Sequence, residues 1–224
     1  MRDDWEIDAA EVHGLRQEIT TRISLMNALI ALDLAAVGTG LTISGHWVHV
    51  LAGLAAISSF LWLLWIDQSI STYKLAAYLA IEMAPKLSEL TGRQVLGWEY
   101  FLRRVEAGGA QSARALYGNQ APAQAHTTRT VRADWYVPLL FGCTPPLLLT
   151  LYVIVGVREH VGTLPIALSG PLCALLWIFT VARFTDFVRN TNVLDRAILA
   201  AGDRNHGAIS PSDQSLRATA DRTG

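Results

Sequence analysis

The sequence predicts an all-α polytopic membrane protein: four transmembrane helices in two hairpins, with helical extensions on the cytoplasmic side. Three observations carry that expectation. The 224 residues are 51% hydrophobic, and the apolar residues gather into four runs, 25–45, 47–66, 136–157 and 161–182. Each run is about 20 residues long, enough to cross a hydrocarbon core of roughly 30 Å. Among 18 basic and 19 acidic residues, Asp33 alone falls inside a run. Finally, every basic residue except Arg158 lies before the first run, between the second and third, or after the fourth. Positively charged loops stay on the cytoplasmic side, so both termini and the central segment are expected there. Two short outward turns remain, near His46 and near Glu159. A single soluble domain is excluded, because four such runs cannot all hide in one small core. A secreted disulfide scaffold is excluded too, since both cysteines, Cys143 and Cys173, lie inside apolar runs.

In chain order, residues 1–24 form a cytoplasmic N-terminal helix. Val12, Leu15, Ile19, Ile23 and Met26 recur at spacings of three and four, so that helix begins near residue 9 and runs straight into the membrane. Its acidic start (Asp3, Asp4, Glu6, Asp8, Glu11) reads as a solvated helix terminus, and no signal peptide is evident. Residues 25–66 make the first hairpin. Residues 67–106 are cytoplasmic helices, continuing through Ile70, Tyr73, Ala77 and Tyr78 until Pro85 breaks or restarts the helix. A second stretch sets Val95, Trp98, Leu102 and Val105 on one stripe with Phe101 beside it, a surface for headgroups or for a partner helix. Residues 107–134 are small and polar without periodicity, a flexible linker. Residues 135–182 make the second hairpin and 183–201 its helical extension. The Ser-, Asp- and Arg-rich residues 202–224 are expected to be disordered. Trp62, Trp65, Trp135 and Tyr136 mark the cytoplasmic headgroup level, and Trp47 and Tyr152 the outer one.

Asp33 is the sharpest candidate. It lies about eight residues into the first run, roughly 12 Å deep at 1.5 Å per residue. A charge there costs on the order of 3 kcal/mol, so such groups face a partner or water. Folding the first hairpin about Gly45 and His46 brings Asp33 level with Ser58 and Ser59. Asp33, Val37, Gly40 and Ser44 share one face, and Ala52, Ala55, Ala56 and Ser59 another, whose small residues allow close approach. Asp33 is then either a structural carboxyl bonded to Ser59 or part of a proton or cation path.

His46, His49 and His160, with Glu159, concentrate in the outward turns. They could bind zinc or copper, act as a pH switch, or be histidines tolerated at an interface. Pro145, Pro146 and Pro171 interrupt the third and fourth helices at nearly one depth. Broken helices at matched depth can mark a transporter site. They can equally be packing kinks, with freed carbonyls met by Thr144 and Ser169. Enzyme signatures are missing: Gly38-Thr39-Gly40 lacks the third glycine of a dinucleotide loop, and no phosphate loop, nucleophile elbow or zinc helix occurs. No catalytic residue, cofactor or nucleic-acid face is expected.

Trp65-Ile66-Asp67, Ile70, Tyr78, Glu82, Pro85 and Leu87, followed by Leu96-Gly97-Trp98-Glu99, resemble a pattern in uncharacterised integral membrane proteins of actinobacteria. That resemblance implies a bacterial cytoplasmic membrane and brings no activity with it. In layout alone the chain also resembles two-transmembrane effector modules of bacterial conflict systems. Asp67 is placed to pair with Arg22 or Lys74. The expected partners are the lipid bilayer, further copies in a homo-oligomer, and a cytoplasmic protein reached through residues 67–106. The leading functional expectation is a non-catalytic oligomeric membrane component, a pore-type effector or a signal-receiving anchor. The alternative is a small ion or proton channel or transporter using Asp33.

Overall fold

A computed structural model describes residues 2–45, 47–91, 136–160 and 163–208. Helices are α1 (Arg2–Ser44), α2 (His49–Tyr78), α3 (Ala84–Thr91), α4 (Tyr136–Arg158) and α5 (Thr163–Ala208), with a π-helical turn at Leu79–Met83 between α2 and α3. No strand occurs among the described residues. Four of the helices are long and apolar enough to cross a membrane, as expected of a multi-pass membrane protein. The stripe at Val95, Trp98, Phe101, Leu102 and Val105, the Leu96-Gly97-Trp98-Glu99 motif, the 107–134 linker, Trp135 and His46 all lie outside the described residues. So do residues 209–224.

The chain divides into two compact units. One contains Glu18–Thr72 and Thr128–Asn190, hence all four apolar runs; the other contains Met1–Gln17, Tyr73–Thr127 and Thr191–Gly224. Helices exceed the sequence-based bounds at both chain ends. The first starts at Arg2 rather than near residue 9, its acidic first turns suiting the positive end of the helix dipole. The last continues past Gly202 to Ala208. Once a helix is nucleated, each added residue gains one hydrogen bond, so a polar extension adds on at little cost. With 43 and 46 residues, α1 and α5 run to about 65–70 Å at 1.5 Å per residue, twice a membrane core.

In the unit of apolar runs, a core forms from Val48, Leu51, Ala52, Leu54 and Ala55 of α2, Leu148 and Tyr152 of α4, and Cys173 of α5. Ala36 and Val37 of α1 pack against it. All four spans therefore share one core. Arg22 Nη1 donates to Gln68 Oε1 at 2.9 Å, while nearer the turn Gly40 packs on Leu54 so tightly that a Cβ would collide with its side chain. Those two contacts align α1 and α2 in opposite directions. Outward, Leu32, Leu34, Leu139, Leu147, Leu168, Leu172 and Leu175 are exposed. Apolar side chains on the outside are what a lipid solvent requires.

Two of the aromatic residues expected as anchors, Trp62 and Tyr152, are buried between helices. Trp62 packs on Phe184 with ring centroids 5.4 Å apart. Helix–helix packing claims these rings because each meets a neighbouring span. Trp47 and Tyr136 stay exposed.

The other unit has its own small core of Ala77, Ala80, Ala84 and Ile198, with Ile81 and Leu194 against it. Pro85 shapes it without ending the helix. Proline has no N–H and its ring crowds the carbonyl four residues back. The chain answers with one wider turn in which Ala84 N–H bonds to Leu79 O, five residues back.

Candidate functional site

On the buried face of α1, Met26 is half-buried and Leu29, Asp33 and Gly40 are buried. Spacings of three, four and seven put them on one stripe. Ile23, which the sequence places on that stripe, is exposed, and Arg22 takes its position. Arg22 is held there by Gln68 and by Glu18, whose Oε1 lies 2.7 Å from Nη2. Asp67 accordingly does not pair with Arg22, contrary to expectation, and makes no ion pair among the described residues. Ser69 donates to Trp65 O at 2.8 Å and lies 3.1 Å from Met26 Sδ.

Asp33 is 1% exposed, and neither carboxyl oxygen has a hydrogen-bond partner among the described residues. Ser58 of α2 is the neighbouring hydroxyl, close enough to act on the carboxyl as a donor. It is fully buried, and the pair falls outside ordinary hydrogen-bond geometry. Ser59, the partner expected for a structural carboxyl, is committed elsewhere: its hydroxyl donates to Ala55 O at 2.9 Å. Back-bonding to the preceding turn is the usual solution for a serine inside a membrane helix. One turn from Ser58 along α2, the Trp62 Nε1–H is also buried and unpartnered. Buried polar groups are almost always paired, so three orphans at Asp33, Ser58 and Trp62 require an explanation. Thr180 of α5 flanks this region: its hydroxyl donates to Leu176 O at 2.9 Å and lies 3.4 Å from Ser59 O.

The prolines sit inside continuous helices, Pro145 and Pro146 in α4 and Pro171 in α5. Thr144 and Ser169 do not meet the freed carbonyls. They donate to Leu140 O and Pro165 O, each at 2.7 Å, whereas the carbonyl four residues before Pro146 belongs to Gly142. That oxygen accepts Trp177 Nε1–H of α5 at 3.0 Å. A cross-helix indole thus repairs the proline defect. Buried Cys173 lies 3.5 Å from Ala52 O with its thiol, while Cys143 is exposed.

Of the external candidates, His49, Glu159 and His160 are exposed, and His46 lies outside the described residues. His49 Nδ1 is 3.1 Å from the Tyr152 hydroxyl, which is also 3.1 Å from Ser169 Oγ. Tyr152 therefore links three helices by its ring and its oxygen. His160 adopts φ 55° and closes α4 in the left-handed conformation common after a helix end. Among the described residues, no group of three His, Cys, Asp or Glu is placed to hold a metal ion.

Beyond the apolar runs, Lys86 Nζ donates to Asp8 Oδ1 at 2.7 Å. Tyr78 donates to Glu11 Oε1 at 2.9 Å. The Asp8 bond holds the Lys86 ammonium above its ordinary 10.5, and burial opposes this only in part. The Glu11 bond likewise raises the Tyr78 phenol above 10.0. Comparison with protein-family models, with curated proteins and with solved structures finds no match for this chain.

Proposed function

We propose that the protein is a non-catalytic membrane component that takes up a proton or a small cation at Asp33. Its membrane is the bacterial cytoplasmic one, with both termini and residues 67–106 on the cytoplasmic side. The single observation behind this reading is the 1%-exposed carboxyl of Asp33, which closes no hydrogen bond of ordinary geometry among the described residues. A carboxylate with no donor inside a bilayer costs on the order of 3 kcal/mol. Structural carboxyls avoid that cost by hydrogen bonding; a carboxyl kept without a donor is free to exchange a ligand. Ser58 Oγ would supply a further oxygen to the bound species. Exposed surfaces of the spans are apolar, which favours a site inside each copy over a water-lined pore between copies.

A second reading, a signal-receiving anchor working as a homo-oligomer, is favoured by a different observation. α1 and α5 are about twice the length a span needs, and their polar parts contribute to a separate compact unit. A cytoplasmic protein partner would bind there. The decisive experiment is flux of protons, sodium and potassium, each read separately, into liposomes containing the purified chain or Asp33→Asn, with oligomeric state measured on the same sample. Flux abolished in Asp33→Asn with assembly unchanged supports the first reading. Equal flux in both proteins, or none in either, rejects it and leaves the anchor.

A further inference from the structure

A groove in the unit of apolar runs is formed by Leu63, Leu64, Ile66 and Asp67 of α2 with Phe179 and Arg183 of α5, enclosing about 410 Å³. Its chemistry is two-sided. Four apolar side chains, one carboxylate and one guanidinium line it. Asp67 is the first charged residue after the second apolar run, and Arg183 the first after the fourth. Both therefore fall at the same membrane boundary, where lipid headgroups lie. Neither forms an ion pair or hydrogen bond with another described residue, although opposite charges line one cavity. A membrane protein that leaves two opposite charges unpaired over an apolar slot presents a receptor for a zwitterion with a hydrocarbon tail.

We propose that this groove binds an aminophospholipid, with ethanolamine as the headgroup amine. Arg183 takes the phosphate, since a planar guanidinium offers two parallel N–H donors to a phosphodiester. Asp67 accepts N–H donors from the primary ammonium. An acyl chain lies against Leu63, Leu64, Ile66 and Phe179. Discrimination follows from the donors. A choline headgroup carries the same charges but no N–H, so it satisfies Arg183 and leaves Asp67 without a hydrogen bond. A glycerol headgroup carries no cation and places its net negative charge beside Asp67. The groove rests on the membrane placement proposed above and not on Asp33.

The test is native mass spectrometry of the full chain released from detergent with equal amounts of phosphatidylethanolamine, phosphatidylcholine and phosphatidylglycerol. Asp67→Asn and Arg183→Gln are run alongside. Both side chains are exposed, so these changes leave the fold in place, which a thermal melt checks. The wild-type chain retains phosphatidylethanolamine several-fold above the other two. Asp67→Asn narrows that preference, since its amide oxygen still accepts an N–H but carries no charge, and Arg183→Gln lowers retention of all three several-fold. Equal retention of ethanolamine and choline lipids by the wild type overturns the proposal, as does a preference undiminished in both variants. A preference for phosphatidylglycerol overturns it as well. An alkaline wash of membranes separates the two levels of failure. A chain that stays in the membrane but shows no preference overturns the groove alone, whereas one released by the wash overturns the membrane placement and the groove with it.

Discussion

Replacing Asp33 with asparagine keeps the volume and shape of the side chain and removes its ability to ionise. If the carboxyl held the helices together, as a bond to Ser59 would have it, the substitution would weaken the fold. The geometry points the other way, because Ser59 bonds to Ala55 O and, among the described residues, neither Asp33 oxygen is in ordinary hydrogen-bond geometry with a donor. Nothing stabilising is lost, while the desolvation of an ionisable group falls. That desolvation is worth up to about 3 kcal/mol at a membrane centre, and an amide, itself polar and buried, keeps roughly half of the cost. Asp33→Asn should therefore stabilise the protein by about 1 kcal/mol or more, a rise of roughly 2–4 °C in melting temperature for a chain of this size. The assay is thermal unfolding in detergent micelles, repeated in lipid nanodiscs to exclude a detergent effect. A fall in melting temperature of the same size would refute the reasoning, since it would mean that the carboxyl makes a bond on which the fold depends.

Gly40→Ala places a Cβ inside the Leu54 side chain and should destabilise by about 1–3 kcal/mol through overpacking; Leu54→Ala in the same chain should restore part of the loss, which a double-mutant cycle of melting temperatures measures. Trp177→Phe leaves Gly142 O, freed by Pro146, without its indole donor and should cost about 1–3 kcal/mol. Thr144→Val, by contrast, should be tolerated because Thr144 serves Leu140 O, and chemical denaturation compares the two variants. Folding favours the protonated forms of both Lys86 and Tyr78. Their contribution is complete below the ordinary values of 10.5 and 10.0 and is lost as pH rises through the raised ones. Melting temperature should then fall above about pH 10, and Lys86→Met with Tyr78→Phe should flatten that part of the profile while lowering stability at neutral pH.

Much of the molecule is legible in the sequence because hydropathy and charge are properties of single residues. Four spans follow from run length, and Asp33 stands out as the lone charge within them. Helix register gives the approximate neighbourhood of Asp33 and Ser58 for the same reason. Which hydroxyl is free to meet the carboxyl is a different kind of fact. Ser58 and Ser59 are adjacent and alike in composition, and the choice between them depends on one 100° step around α2. Periodicity favours Ile23 over Arg22, but an arginine stem buries well when its head finds Glu18 and Gln68. For the carbonyls freed by proline, the sequence shows only local hydroxyls as partners. Trp177 comes from another helix, and only packing reveals it. The burial of Trp62 and Tyr152 is hidden for the same reason, as composition does not say which side of a helix meets a neighbour.

The central claim is that Asp33 binds and releases a small cation or proton within the membrane. Its most direct test is the flux of protons, and separately of sodium and potassium, into liposomes carrying the wild-type chain or Asp33→Asn at matched protein density. Flux of one of these ions should be carried by the wild type and lost in Asp33→Asn, whose melting temperature is equal or higher. An Asp33→Asn chain that conducts as well as the wild type would contradict the claim.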